Sequence, residues 1–423
     1  MSKNGTHGKG SHGRPPEVLE ALKKPTQGRK EFFADFWVAH RRIVEVTQEL
    51  LRLILEPADA EVIYLIGATG VGKTTVMKHV IAKLYEIGLP TMNEFPGRVP
   101  AAYIEAENPD KGSYDWKAHY KNTLLALDEV LIDKKVYLPA PGAGPGELNV
   151  RLSREDRGSA AYRRAAENAL KNRIRYAFFV DEGQYLVKRK SGEGLMNQAD
   201  TTRSLASRSN TLHVIGGTYD LRHLRNLNGQ LARRSHTVRF RPYRTEGLTR
   251  AEAAKEIESF TQAFLTFQVY LPVVEPPDLA KHIDFCFKRC LGCVGHLKSW
   301  FKRSLHDALK SGTTTVAPEM FLAAAPKRDA WLRIAEEIAE GEAALEENDD
   351  ELEAELAKLG DATERNKTGA DICKEDPENS KPRSGSGKKS STKKNRRGQS
   401  FLPRPERYPV GGREVRARTR KRR

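Results

Sequence analysis

Gly67, Gly72, Lys73 and Thr74 stand at the spacing Gly-x-x-x-x-Gly-Lys-Thr, with Ala68, Thr69, Gly70 and Val71 between the glycines and Thr75 following. That spacing suits polyanion chemistry. The glycines let successive backbone N–H groups close around phosphate oxygens, Lys73 reaches the β and γ oxygens, and the Thr74 hydroxyl completes a Mg²⁺ shell. The expected ligands are therefore ATP and Mg²⁺. The run EVIYLIG before the loop reads as a buried strand, and residues 73 to about 86 are helical in pattern. The triphosphate would then also sit on a helix N-terminus, where orphan N–H groups and the helix dipole favour anions.

Such a loop needs a carboxylate for the metal, and AFFVDEGQYL supplies a candidate. Ala177 to Val180 read as a short buried strand ending in Asp181 and Glu182, so that Asp181 would hold Mg²⁺ through Thr74 and water while Glu182 polarises the attacking water. An acidic pair at a strand end is by itself often only a solvated terminus, and the pairing with the phosphate loop is what points to catalysis. Leu212 to Ile215 form the next strand, which leads into Gly216-Gly217-Thr218. Thr218 at that tip is placed to touch the γ-phosphate or orient water. In NGQLARRSHTVRF, Arg233 and Arg234 follow a predicted helix and precede another strand. An arginine there could serve a neighbouring subunit's nucleotide as a trans-acting finger, its planar fork matching phosphate oxygens. A solvated helix end is the equally open alternative.

Together, GATGVGKTT, FFVDEGQYL, VIGGTYDL, NGQLARR and GCVGHLKSWFKRSL resemble the AAA+ regulators of DNA transposition, the TnsC and TniB ATPases, over roughly residues 30 to 335. The most specific parts are Asn228 to Arg234 and Gly292 to Trp300. The resemblance implies an α/β AAA+ P-loop NTPase with a central parallel sheet and a C-terminal helical lid, flanked by disordered tails. It implies that Lys73 and Thr74 bind ATP and Mg²⁺, that Asp181 and Glu182 support hydrolysis, and that Arg233 or Arg234 is the finger. The lid helix beginning at Gly295 would carry a second sensor, for which Lys298 is the nearest basic residue, although an arginine is usual in the wider AAA+ pattern. Gly183 stands where an alanine is common. The implied partners are double-stranded DNA, further copies of the chain in a ring or filament, a transposase and a target-selection protein of the TniQ or TnsD type.

Length and composition agree with a soluble intracellular ATPase, and the expected location is a bacterial cytoplasm. At 423 residues the chain can bury a sizeable core. No apolar run reaches the roughly 18 residues that span a bilayer, and MSKNGTHGKGSHGRPP has no apolar signal core. Four cysteines without secretory context argue for reduced thiols. Cys286, Cys290 and Cys293 fall with His282 on one stripe of a predicted helix. They read as core cysteines rather than metal ligands, because a helix rising about 1.5 Å per residue separates the outermost too far to share an ion.

The expected organisation is a disordered segment over residues 1–28, an α/β core over 29–248, a lid over 249–335, a solvated acidic helix over 336–360 and a disordered arm over 361–423. The net charge of +16 is unevenly spread. Residues 1–335 carry a net +14, residues 336–380 a net −13, and residues 381–423 a net +15. A basic body suits an anionic polymer. Lys111, Lys117 and Lys121 in one amphipathic segment, Arg151 and Arg154 in a basic helix, and Lys188 and Arg189 after the acidic pair are the expected contacts. These would be to backbone and shape, since no base-reading motif is visible. The basic arm reads as a solubility or non-specific DNA tail; the resemblance implies instead that it is where the transposase docks. Two other function classes remain: a replication initiator or helicase loader, which would normally add a winged helix that residues 336–423 cannot build, and a signalling NTPase with no DNA role, against which the charge argues.

Overall fold

The computed structural model describes residues 14–109, 112–134, 154–187, 193–225 and 233–346. Strand β1, Val62–Gly67, is the apolar run ahead of the phosphate loop, and all six of its residues are buried. A strand apolar on both faces needs cover on both faces, which a parallel sheet under helices supplies. The other strands are β2 (Val99–Glu105), β3 (Ile174–Asp181), β4 (Leu212–Gly217) and β5 (Ser235–Phe240). They order as β2-β3-β4-β1-β5, and every neighbouring pair is parallel. This is the parallel-sheet architecture expected of an AAA+ P-loop NTPase. Its order puts the carboxyl ends of β1, β4 and β3 side by side, the edge where open parallel sheets bind ligands. Strand β3 starts three residues earlier than its apolar run suggests, because the ladder to β2 continues down to the Ile174–Val99 pair.

Ahead of the sheet lie α1 (Pro16–Leu22), α2 (Thr26–Asp35) and α3 (Arg41–Leu55). The disorder expected through residue 28 is thus corrected from residue 16 onward. Val18 and Ala21 are buried apolar anchors that a Gly, His and Lys rich composition obscures. Helix α4 (Lys73–Glu94) follows the phosphate loop and continues through Pro90, past its expected end. Between β2 and β3 come α5 (Trp116–Ala126), whose N-cap Asp115 accepts from the Lys117 and Ala118 amides, and α6 (Arg154–Arg173). The short α7 (Gln184–Val187), α8 (Glu193–Ser209) and the one-turn α9 (Arg222–Arg225) fill the remaining crossovers.

The lid begins at α10 (Arg250–Val269), where Thr249 and Glu252 form a reciprocal capping box. It continues through α11 (Ile283–Arg289), α12 (Val294–Ser311), α13 (Pro318–Ala323) and α14 (Arg328–Ala343). Its own apolar cluster is aromatic: Trp300 stacks on Phe321 with centroids 4.9 Å apart and donates its indole N–H to the Phe321 carbonyl at 2.6 Å. Each such side chain, fully buried, stabilises by about 1.5–3 kcal/mol relative to exposure. Core and lid are tied at α3, where Arg42 donates to both oxygens of the buried Glu256 at 2.9 and 3.0 Å and Arg41 pairs with the same carboxylate. His40 meets the Tyr243 hydroxyl at 2.9 Å. Burial, then the Arg42 charge, lower the His40 pKa to about 3, so the ring is neutral at pH 7.

The single helix expected over the cysteines breaks into two. Leu291 and Gly292 take left-handed conformations at φ 51° and 65°, and a side chain on Gly292 would collide with the Tyr243 backbone. Cys286 and Cys290 pack in the lid cluster, whereas Cys293 joins the sheet cluster. Burial pushes the Cys286 and Cys293 thiols up to about 12 and Cys290 well above the usual range, so all three behave as small hydrophobes. Among the described residues no helix is long and apolar enough to cross a membrane.

Candidate functional site

The phosphate loop turns between β1 and α4 through glycines. Gly70 and Gly72 adopt φ 75° and 119°, a region that side chains rarely adopt and that strains them, and a Cβ on Gly67 would strike the Phe240 carbonyl oxygen of β5. Lys73 opens α4 and folds back, donating to the Gly67 and Ala68 carbonyls at 2.9 Å each. Burial lowers its pKa, while the Asp181, Glu182 and Glu337 carboxylates support its charge.

At the next residue of the same helix end, the Thr74 hydroxyl donates to Asp181 Oδ2 at 2.6 Å, across the 107 residues that separate them in sequence. Tyr103 from β2 donates to that same oxygen at 3.0 Å, and the Glu182 amide donates to Asp181 Oδ1 at 2.9 Å. Asp181 is buried and accepts from these three donors. Hard oxygen donors held this way, beside the phosphate loop and a partly buried lysine, fit Mg²⁺ and a triphosphate: Thr74 and Asp181 would hold the metal, which would neutralise charge on the β and γ phosphates.

Glu182 sits at φ 54°, a left-handed conformation that costs a non-glycine residue about 1–3 kcal/mol and that active sites retain for aim. Two neighbours hold it. The Gly183 amide donates to the Gly216 carbonyl at 2.7 Å, and a side chain on Gly183 would collide with Ile215, which explains a glycine where alanine is common. Gln184, unnoticed in the sequence, donates its amide to Glu182 Oε2 and accepts from the Thr218 backbone N–H at 3.3 Å. Gln184 therefore links the Glu182 carboxylate to the tip of β4, which lies between the phosphate-loop strand and β3. A Gln two residues beyond Glu182 was the available signal, but only the sheet order reveals its second partner.

The lid closes on the loop at a different residue from the one expected. Lys298 Nζ donates to the Ala34 carbonyl at 2.7 Å and so ties α12 to α2. Two residues apart on a helix point to nearly opposite faces, and it is His296 that lies on Gly70, where a Cβ would meet its ring. A side chain on Gly295 would likewise collide with the Gly70 carbonyl oxygen. Gly295→Ala should therefore displace the lid from the loop and weaken ATP binding by about tenfold or more, although Gly to Ala inside a helix ordinarily stabilises by roughly 0.5–1 kcal/mol. Titration of a fluorescent ATP analogue together with thermal melting checks this. Unchanged affinity with a raised melting temperature would remove the contact from the site.

Arg233 and Arg234 are both exposed at the start of β5, and Arg234 pairs with Glu61 at 2.6 Å on the rim opposite the catalytic edge. Neither reaches Asp181 or Glu182 within its own subunit. Of the expected DNA contacts, Lys117 is exposed beside Gly158 of α6, while Lys121 pairs with Asp133 at 2.9 Å and lies over the Tyr162 ring. Lys111, Arg151, Lys188, Arg189 and the Arg154 side chain lie outside the described residues. Of the acidic helix expected over 336–360, the described part belongs to α14, which starts before the expected boundary, and there Glu342 and Leu345 are buried against the core; residues 347–360 and the arm to 423 lie outside the described residues.

The fold and this edge define an AAA+ P-loop NTPase. Residues 57–224 match the family model described as AAA domain. No curated protein matches the chain. Among solved structures, the Aeropyrum pernix ORC2 protein in ADPNP-ADP complexes is 15% identical with a TM-score of 0.43, the match covering 76% of this chain and 73% of that one. The Walker-type ATPase paby2304 of Pyrococcus abyssi is 18% identical over 74% and 76%, with a TM-score of 0.36. The Aeropyrum pernix ORC1 protein in complex with DNA is 17% identical over 68% and 65%, with a TM-score of 0.42.

Proposed function

We propose that the protein is an ATP-hydrolysing regulator of DNA transposition, which assembles as a ring or filament on target duplex DNA when ATP is bound and recruits or activates a transposase. The observation that carries the ATPase part is the contact of Thr74 with Asp181 beside a strained, Gln184-held Glu182. Lys73 binds the β and γ phosphates, Glu182 accepts the proton of the attacking water, and Thr218 at the β4 tip responds to the γ-phosphate. Exposed Arg233 and Arg234 support assembly, because a site completed by a neighbour's guanidinium couples nucleotide to oligomerisation. The net +14 of residues 1–335 supports contact with the DNA backbone. The TnsC and TniB resemblance supplies the transposition role, with the transposase and a TniQ or TnsD type protein as further partners in a bacterial cytoplasm.

The test combines imaging with complementation. Full-length protein, duplex DNA and a non-hydrolysable ATP analogue should yield regular assemblies that are absent with ADP. An Arg233→Ala, Arg234→Ala subunit with an intact nucleotide site should regain hydrolysis when mixed with a Glu182→Gln subunit whose arginines are intact. Mixtures that stay inactive would reject the trans finger. Nucleotide-independent DNA binding without assembly would reject the regulator reading.

A further inference from the structure

Helix α14 returns from the lid to the catalytic edge and docks there through its last two turns. Gly341 lies flat on the Tyr219 ring, at a separation that leaves no room for a Cβ. The Tyr219 hydroxyl donates to Glu342 at 2.7 Å, Arg241 reaches the other oxygen of that carboxylate at 3.3 Å, and Arg244 pairs with Glu346 at 2.8 Å. Leu345 is buried and Ile338 packs on the sheet cluster. Tyr219 directly follows Thr218, so the helix is clamped to the segment that faces the nucleotide.

The clamp orients a residue one turn back. Glu337 and Gly341 are four apart and share a face, which puts the half-buried Glu337 on the side of α14 that meets the core. Its charged neighbours there are Lys73 and Asp220. Burial and the Asp220 carboxylate raise its pKa, while Lys73 opposes the rise. An acidic side chain thus approaches the lysine whose partner in an NTPase is a phosphate.

We propose that Glu337 is a cis-acting competitor of the triphosphate, held beside Lys73 by the docking of α14, so that nucleotide binding and α14 docking oppose each other. The inference rests on the nucleotide-binding reading of the site. A polyanion placed on Lys73 repels Glu337, and like charges in a partly desolvated site repel more strongly than in water. Relief comes from loosening the Tyr219 and Glu342 clamp, and the loosened helix runs directly into the acidic and then basic C-terminal sequence. Binding energy at the loop is in this way transmitted to the docking of α14, and the coupling is reciprocal.

Full-length Glu337→Gln should bind a Mg²⁺-complexed non-hydrolysable ATP analogue about threefold to thirtyfold more tightly than wild type, the range reflecting solvent screening of a half-exposed carboxylate. Tyr219→Phe removes the clamp's hydrogen bond without touching Glu337, and it should tighten the same analogue by a smaller factor. Hydrogen exchange over residues 336–346 of the wild type should speed up when the analogue is bound. Unchanged or weaker binding by Glu337→Gln, or slower exchange in that segment on binding, overturns the proposal. If wild type binds no analogue at all and matches Lys73→Ala, the nucleotide reading fails and this inference falls with it. Tight wild-type binding with an indifferent Glu337→Gln removes the competitor alone.

Discussion

Lys73→Ala should lose ATP binding by about two orders of magnitude or more, and nucleotide-dependent assembly on DNA with it. The lysine is the one cation that the loop turns inward, anchored by the Gly67 and Ala68 carbonyls. Charge-assisted contacts to phosphate are roughly twice as strong as neutral hydrogen bonds, and here they act where burial already disfavours an unpaired charge. The same burial makes the substitution mild for folding, since a partly desolvated ammonium is removed along with its two carbonyl contacts. Melting without nucleotide should therefore shift little, while the stabilisation added by ATP disappears, as expected for a ligand that binds only the folded state. Calorimetric titration and melting with and without ATP measure both. An ATP-dependent DNA shift retained by the variant would defeat the assignment.

Glu182→Gln should separate binding from turnover. Thr74 and Asp181, the residues that would hold the metal, are left in place by the substitution, so affinity for Mg²⁺ and ATP should hold within about threefold. Turnover should fall by roughly 10²–10⁴, the range general-base catalysis contributes, and ATP-bound assemblies should become long-lived. Gln184→Leu isolates positioning from chemistry, because it frees the Glu182 carboxylate and the Thr218 N–H without altering either group. It should lower kcat by about tenfold with KM nearly unchanged, a pattern that a purely structural defect would not produce. Wild-type hydrolysis in Glu182→Gln would show that another group takes the proton.

Local chemistry was readable because it depends on neighbours in sequence. The phosphate loop is specified by positive φ values that favour glycine and by a lysine and threonine opening a helix. The apolar runs that became β1, β3 and β4 are continuous, as strands covered on both faces must be. The capping box at Thr249 and the lid's aromatic content are local in the same sense. Composition misled where a few anchors decide: Val18 and Ala21 hold α1 in a segment that reads as disordered on average.

Long-range pairing is what the sequence left open. Gln184 is one polar residue among many until β4 is inserted between β1 and β3, which brings the Thr218 amide to its side chain. Lys298 and His296 are equally plausible lid residues in a string, and the helical rotation between them sends one to Ala34 and the other to Gly70. The acidic run after residue 335 reads as solvated because charge is counted per residue, but Glu342 and Leu345 are buried because Gly341 finds Tyr219 more than a hundred positions away. Residue types thus determined which chemistry this chain can perform. Only the packing of distant elements decided which groups aim, close and oppose it, because those contacts are set by the sheet order and the crossing of helices rather than by spacing along the chain.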